Sequence, residues 1–252
     1  MKLDGRVAGI TGGGAGFGRA MAQAFSRNGA DVAICDLNLD DAEETARMVA
    51  ANGRRALARK LDVTDTPRLR SFIDEIVHEF GKIDIWVGNA GMVGGLLAED
   101  EDEGFWRQLL DLNLSAVFLG AQAAGRHMLR QGSGSIINIA SMYGTRASAG
   151  RVAYCTAKAG VIMLSQVLAV EWGARGVRVN SIGPGYSDTQ LFRKGRSAHS
   201  PGVDELLERV PMERFVTVDE VAAAATFLAS DDASFVNGHC LLVDGGWSPR
   251  GA

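Results

Sequence analysis

A short apolar stretch, Arg6 to Thr11, runs straight into Gly12-Gly13-Gly14-Ala15-Gly16-Phe17-Gly18. Apolar residues at helical spacing follow at Ala20, Met21, Ala24 and Phe25, and Asn28-Gly29 supplies a stop. Strand, glycine turn and helix in this order form the opening of a crossover unit. That commits the chain to a largely parallel sheet with ligands at the strands' C-terminal ends. Glycine suits the turn because backbone must pass close to a pyrophosphate whose charge sits at the helix N-terminus. Strict G-x-G-x-x-G frames beginning at Gly12 and Gly14 end on Phe17 and Arg19; the pattern present is Thr11-Gly12-x-x-x-Gly16-x-Gly18.

The remaining strands repeat the arrangement. Asp31 to Cys35 reads as a strand ending on Asp36, twenty residues beyond Gly16, where an acid accepts from both hydroxyls of an adenosine ribose. A carboxylate repels a 2′-phosphate, and neither Ala15 nor Leu37 offers it a cation, so the three residues favour NAD over NADP. Asp36 would otherwise be a turn residue or a cap for the helical pattern over 41–52. Arg55 to Leu61 closes on Asp62-Val63-Thr64-Asp65; Thr64 or Asp65 caps the helix from Pro67 to Phe80, leaving Asp62 for an adenine contact. Ile83 to Val87 leads into Gly88-Asn89-Ala90-Gly91, where small residues admit a ligand and Asn89 is a polar anchor. Phe105 through Leu129 reads as one long helix after the acidic start at Glu99 to Glu103. Asn113 interrupts its leucines, which is unfavourable unless the amide is hydrogen-bonded.

Ser135 to Ala140 is a fifth strand, ending on Ser141. Thirteen residues later comes Tyr154-Cys155-Thr156-Ala157-Lys158, whose phenol and ammonium share a helix face. The pair alone does not separate proton-transfer chemistry from a solvated helix surface. The helix continues through Val161, Leu164, Leu168 and Trp172. Gly176 to Ile182 is a sixth strand stopping at Gly183-Pro184-Gly185. Residues 186–212 are polar and basic, with Arg193, Lys194 and Arg196 close together, and read as a substrate lid. A helix over Val218 to Ala229 and a strand over Cys240 to Val243 close the chain.

At 252 residues and 46% hydrophobic content, one domain spanning 1–252 accommodates these elements. The net charge of -4 carries no basic block, which speaks against nucleic acid or a membrane surface as partner and for a small molecule. No apolar run reads as a membrane span and the first residues lack a signal-peptide core, so the chain reads as cytoplasmic. Three scattered cysteines and four scattered histidines give neither a disulfide framework nor metal-ligand spacing; no metal is expected.

The motifs together resemble those of the classical short-chain dehydrogenase/reductase family over essentially the whole chain. They are Thr11-Gly12-x-x-x-Gly16-x-Gly18, Asp62-Val63, Asn89-Ala90-Gly91, Leu112-Asn113-Leu114-Ser115, Ser141, Tyr154-x-x-x-Lys158 and Pro184-Gly185-x-x-x-Thr189. The resemblance implies an α/β Rossmann-like fold, a doubly wound parallel seven-stranded sheet with helices on both faces. It also implies a homotetramer that pairs helices near 105–130 and 154–175. Asn113, Ser141, Tyr154 and Lys158 would be the catalytic tetrad. The dinucleotide would lie along Gly12, Gly14, Ala15, Gly16, Phe17 and Gly18, then Asp36 and Leu37. It would continue past Asp62 and Val63, and Asn89, Ala90 and Gly91, to Tyr154 and Lys158. Pro184, Gly185, Ser187 and Thr189 would close over its carboxamide end.

In this reading Tyr154 accepts the hydroxyl proton, Ser141 orients the substrate oxygen, Lys158 lowers the phenol's pKa, and Asn113 holds a relay water. Met92, Met142, Tyr143, Tyr186 and Phe192 are candidates for an apolar substrate wall. Arg146, Arg151, Arg193 and Arg196 either bind an anion or solvate the lid. Two departures from the family pattern, Gly88 for a second asparagine and Gly9 for a larger apolar residue, predict local repacking. The expected activity is NAD-dependent interconversion of a secondary alcohol, such as a polyol or sugar-type compound, and its ketone. The alternatives are an acyl-thioester reductase of the same family and a nucleotide-sensing protein without chemistry.

Overall fold

The computed structural model describes residues 1–189, 192–193 and 202–250. Lys194 and Arg196 lie outside them, as does part of the proposed lid. Seven parallel strands form one sheet in the order β3-β2-β1-β4-β5-β6-β7. They are β1 (Val7–Thr11), β2 (Asp31–Asp36), β3 (Ala56–Lys60), β4 (Ile85–Gly88), β5 (Gly134–Ile139), β6 (Val177–Pro184) and β7 (Cys240–Val243). The order reverses between β1 and β4, and a crevice opens at that switch point.

Side chains alternate across the strands, so each strand feeds two cores. Ala8, Ile10, Val32, Ile34, Ile85, Val87, Ile137 and Ile139 face α1 (Gly16–Arg27), α2 (Leu39–Ala51) and a late helix over Val218–Ala229. Val7, Ala33, Cys35, Trp86 and Ile136 face α3 (Thr66–Phe80) and the long helices before and after β5. This double coverage explains why the strands are near-continuous apolar runs.

Helix ends follow local chemistry. Asp65 caps α3 by accepting from Arg68 N at 3.2 Å, Pro67 stands in its first turn, and Gly81 closes it at a φ of 83°. The expected single helix from Phe105 is divided. It comprises α4 (Glu103–Leu110), a π turn over Asp111–Ser115 and α5 (Ala116–Gln131). Asn113 sits inside that widened turn, which departs from regular α geometry at the residue least suited to it. After β5 come α6 (Val152–Trp172), α7 (Val203–Glu208), α8 (Val218–Ala229) and α9 (Trp247–Arg250). The stretch Val152–Arg175, comprising α6 and the turn after it, is long and apolar enough to cross a membrane by length and composition. That differs from the sequence expectation of no such run. The apolarity arises because α6 packs against β6 and its buried face includes Val161, Leu168 and Trp172.

The expected repacking around Gly9 has a clear cause. A Cβ on Gly9 would lie 2.8 Å from the Trp86 ring and 2.9 Å from Ile76, and one on Gly120 would lie 2.9 Å from the same indole. Trp86, 1% exposed, therefore fills the space that a larger residue at position 9 would take. At Gly88 a Cβ would come within 3.0 Å of Asn138 Oδ1 and 3.3 Å of Val117. Gly9→Ala is expected to destabilise the protein by about 1–3 kcal/mol through overpacking. Adding Trp86→Leu should make the second substitution cost less than it does alone, and denaturant unfolding of the four proteins in this cycle measures that coupling. Strict additivity would contradict the clamp.

Candidate active site

The glycine turn is fixed from β1. Thr11 Oγ1 accepts from Asn89 N at 2.9 Å and from Ala90 N at 3.0 Å. Asn89 Nδ2 donates to the carbonyls of Thr11 and Gly12, both at 2.9 Å. Asn89 thus ties the loop after β4 to the loop after β1. Gly18 is required by close approach, since a Cβ there would lie 2.1 Å from the Gly12 carbonyl oxygen. The helix that follows begins on Ala15 without a capping side chain and without an acid in its first turn. Its first N–H groups are therefore left for a ligand.

A cavity of about 430 Å³ runs from this turn, within the size range of ligand sites. One end holds Gly12, Ala15, Gly16 and Phe17, with Asp36 and Leu37 at the tip of β2. Asp36 accepts from Gly14 N at 2.9 Å and from Asn38 N at 3.0 Å, one bond on each oxygen. A cation tied to the same loop escaped the sequence reading. Arg19 donates to the Gly14 carbonyl at 2.8 Å, but Glu44 holds its guanidinium at 2.8 Å. Asp62 and Val63 line the middle. One Asp62 oxygen is occupied by the Thr64 amide at 2.9 Å and the Thr64 hydroxyl at 2.7 Å.

The other end gathers Asn89, Ala90, Gly91 and Met92, Ser141, Tyr154 and Lys158, with Pro184, Gly185 and Thr189 across from the glycine turn. Ser141, just past β5, accepts from Tyr143 N at 3.2 Å, and its hydroxyl is near enough to the Tyr154 phenol to act on its pKa. Lys158 Nζ donates to the Ile139 carbonyl at 2.7 Å and stands 5.8 Å from the Tyr154 ring centre. Burial lowers its ammonium pKa from 10.5 to about 8. Burial raises the Tyr154 pKa; the Ser141 bond and then the Arg151 charge pull it back. The β5 carbonyl thus holds the Lys158 ammonium beside the ring whose phenol the sequence reading expects it to acidify.

Asn113 is fully buried, and its amide is bonded at both ends to one residue. Met92 N donates to its Oδ1 at 2.8 Å and its Nδ2 donates to Met92 O at 2.7 Å. The side chain thus ties the widened turn to the loop after β4. A Cβ on Gly91 would lie 3.0 Å from Asn113 Oδ1 and 3.8 Å from Lys158 Nζ, so glycine allows that approach.

Gly14, Gly18, Asn113 and Ser187 support the cavity from behind rather than lining it. Of the five candidate substrate residues only Met92 lines it. Met142, Tyr143, Tyr186 and Phe192 instead pack with Phe215 and Trp247 in an aromatic cluster behind Ser141. There the Tyr143 and Tyr186 hydroxyls hydrogen-bond at 2.7 Å and the Tyr143 and Trp247 rings meet edge to face at 5.4 Å. The rings cluster because Phe215 and Trp247, distant in sequence, pack over them. Leu61, Thr64, Gln108, Leu112, Ile139 and Ala140 also line the cavity and were not foreseen. Ile139 and Ala140 end the strand before Ser141 and follow from the strand-end rule, whereas Gln108 and Leu112 carried no signal. Among the described residues no group of three or more His, Cys, Asp or Glu side chains is placed to hold a metal ion.

A family model described as Enoyl-(Acyl carrier protein) reductase matches residues 12–248. A D-threitol dehydrogenase from Mycolicibacterium smegmatis is 42% identical over 247 residues, covering 98% of this chain and 94% of that protein. An NAD-dependent glycerol dehydrogenase from Listeria innocua is 38% identical over 248 residues, covering 98% and 95%. The crystal structure of an NAD+-bound xylitol dehydrogenase superposes with a TM-score of 0.92 at 30% identity, covering 98% of this chain and all of that one.

Proposed function

The chain belongs to the short-chain dehydrogenase/reductase family, whose matching members here oxidise alcohols, and we propose that it interconverts a secondary alcohol and its ketone with NAD. The observation that carries this reading is the Tyr154 phenol. It lines one cavity together with Ser141 and a buried Lys158, an uncapped helix N-terminus and Asp36. Polyols and sugar-type alcohols are the substrate class favoured by the threitol, glycerol and xylitol relatives.

The residues fit a nicotinamide dinucleotide. The uncapped first turn of α1 takes the pyrophosphate, Asp36 the adenosine ribose, and Asp62 and Val63 the adenine. Ser187 and Thr189 hold the carboxamide, and Thr189 already lies 3.7 Å from a Cβ built on Gly16. Bound there, the cofactor supplies the carbon that accepts hydride from the alcohol. Ser141 holds the substrate oxygen, and Tyr154 takes its proton as the carbonyl forms. Lys158, beside the ring, favours the phenolate as that negative charge develops. Asn113 positions Met92 and, through it, the loop facing the reacting groups. Reduction runs the same contacts backwards.

The same reading makes the chain a single cytoplasmic dinucleotide-binding domain with a lid over 186–212, assembled as a homotetramer. Phe118 on α5 and Met163, Val167 and Val170 on α6 remain exposed, which supports pairing of those helices.

NAD over NADP rests on Asp36. Asp36→Ala is expected to lower the NAD-to-NADP ratio of kcat/KM by about 10- to 100-fold, the worth of charge-assisted hydrogen bonds to the ribose. Equal use of both cofactors by the unmutated protein would remove the Asp36 argument. The reading as a whole is tested by initial rates on a panel of neutral polyols, sugar acids and simple alcohols with each cofactor. Failure of every alcohol and ketone to react would overturn it.

A further inference from the structure

Four arginines follow Ser141 closely enough in sequence to meet a substrate, and the structure separates them. Arg146 donates to the Ser248 carbonyl at 3.0 Å, Arg193 forms two bonds of 2.7 Å with Asp188, and Arg196 lies outside the described residues. Arg151 is half-buried, and its side chain has no hydrogen bond or ion pair. Among the described residues, the other arginines and lysines whose side chains lack a partner, such as Arg47, Lys60, Arg68 and Arg126, are exposed.

Arg151 stands at the N-cap of α6, one turn ahead of Tyr154. Its charge reaches the Tyr154 phenol, the Cys155 thiol and the Tyr186 phenol. It therefore lies within electrostatic reach of the reacting tyrosine and of the aromatic cluster, although it is not among the residues lining the cavity. No capping benefit accounts for it: its side chain makes no cap bond, and a cation adds positive charge where the helix dipole already places some. One acid, Glu101, comes near its backbone. A Cβ on Gly95 would lie 3.1 Å from its Oε2 and 3.5 Å from Arg151 Cα, yet Glu101 accepts from Leu96 N and forms no ion pair with Arg151. Arg209, the other cation felt by Tyr186, is paired with Glu205 at 2.7 Å. One unpaired, partly desolvated guanidinium beside the proton-transfer group is a fork for a carboxylate.

We propose that Arg151 binds a carboxylate of the substrate, so that the alcohol oxidised at Tyr154 and Ser141 is a hydroxy acid with its charged end one helical turn away. This inference rests on the alcohol-oxidising reading and narrows it. A single negative charge suits the site better than a phosphate ester, because only one cation among the described residues there is unpaired. Dehydrogenation stays balanced as before: hydride leaves the carbinol carbon for the nicotinamide, the hydroxyl proton goes to Tyr154, and the carboxylate is unchanged.

The test compares hydroxy acids, such as aldonates and hydroxyalkanoates, with their own amides in the wild type, Arg151→Gln and Arg151→Lys. The wild type is expected to favour the acids. Arg151→Gln removes a charge that acts on Tyr154 for both classes alike, so the readout is the acid-to-amide ratio of kcat/KM, which should fall by about 10- to 100-fold, mainly through KM for the acids. KM for NAD should stay within about twofold, and Arg151→Lys should recover part of the acid preference. Equal losses on acids and amides would mark a merely structural role and overturn the proposal. So would a wild type that oxidises neutral polyols and amides but not acids, although the alcohol-oxidising reading would then stand. No oxidation of either class overturns both.

Discussion

Tyr154→Phe is expected to lower kcat for alcohol oxidation by about 10³-fold, or ~4 kcal/mol of transition-state stabilisation, while NAD affinity stays near normal. Tyr154 packs against the buried cluster of Leu109, Ala153 and Ala157, contacts that phenylalanine keeps, so folding should survive the change. What disappears is the phenol oxygen beside Ser141, which in the proposed chemistry takes the substrate proton. Stopped-flow or steady-state rates, together with NAD titration by fluorescence, separate the two effects. Turnover within a few fold of the wild type would remove the tyrosine from the chemistry. The unmutated enzyme should also oxidise faster as pH rises, because burial biases the phenol toward its protonated form and alkali offsets that bias.

Lys158→Met should move activity and stability in opposite directions. Activity falls because the charge that favours the phenolate is gone. Stability at neutral pH should rise, because the ammonium is buried and held to one carbonyl. The displacement of its pKa from 10.5 to about 8 corresponds to ~3 kcal/mol favouring the neutral amine in the folded state. Loss of the bond to Ile139 leaves that carbonyl unpaired, which removes about 1–2 kcal/mol of the gain. The sign follows from proton binding: between pH 8 and 10.5 the unfolded chain keeps the proton that the folded protein releases, so stability rises with pH through that window. Below pH 8 the full penalty is present. Denaturant unfolding at pH 7 and pH 10 should therefore show the variant ahead at pH 7 and its advantage shrinking at pH 10. A variant less stable than the wild type at both values would mean that Lys158 stabilises the fold.

Much of this site was legible because strand ends are. Gly12 to Gly18, Asp36, Asp62, Asn89 and Ser141 each follow an apolar run, and in a parallel sheet those positions converge on one crevice. The costly asparagine at 113 signalled an irregularity, which proved to be a π turn bonded to Met92. What sequence could not supply were pairings between distant residues. Nothing local to Tyr143 or Tyr186 announces Trp247, and nothing local to Gly9 announces the indole of Trp86. The arginines make the same point. Whether Arg146 is free depends on a carbonyl 102 residues away, whereas Arg193 finds Asp188 five residues back. Only after those partners are placed does Arg151 stand out. Gln108 and Leu112 were hidden for another reason: on an amphipathic helix, spacing does not tell which residue faces a cavity.

The most direct test of the proposed chemistry is isotopic. A secondary alcohol deuterated at the carbinol carbon, oxidised in ordinary water with NAD, should place its deuterium on the nicotinamide ring of the reduced cofactor, one atom for each ketone formed. Mass spectrometry of the recovered cofactor reads this. Deuterium lost to solvent while ketone forms, or ketone formed without reduced cofactor, would contradict hydride transfer beside Tyr154.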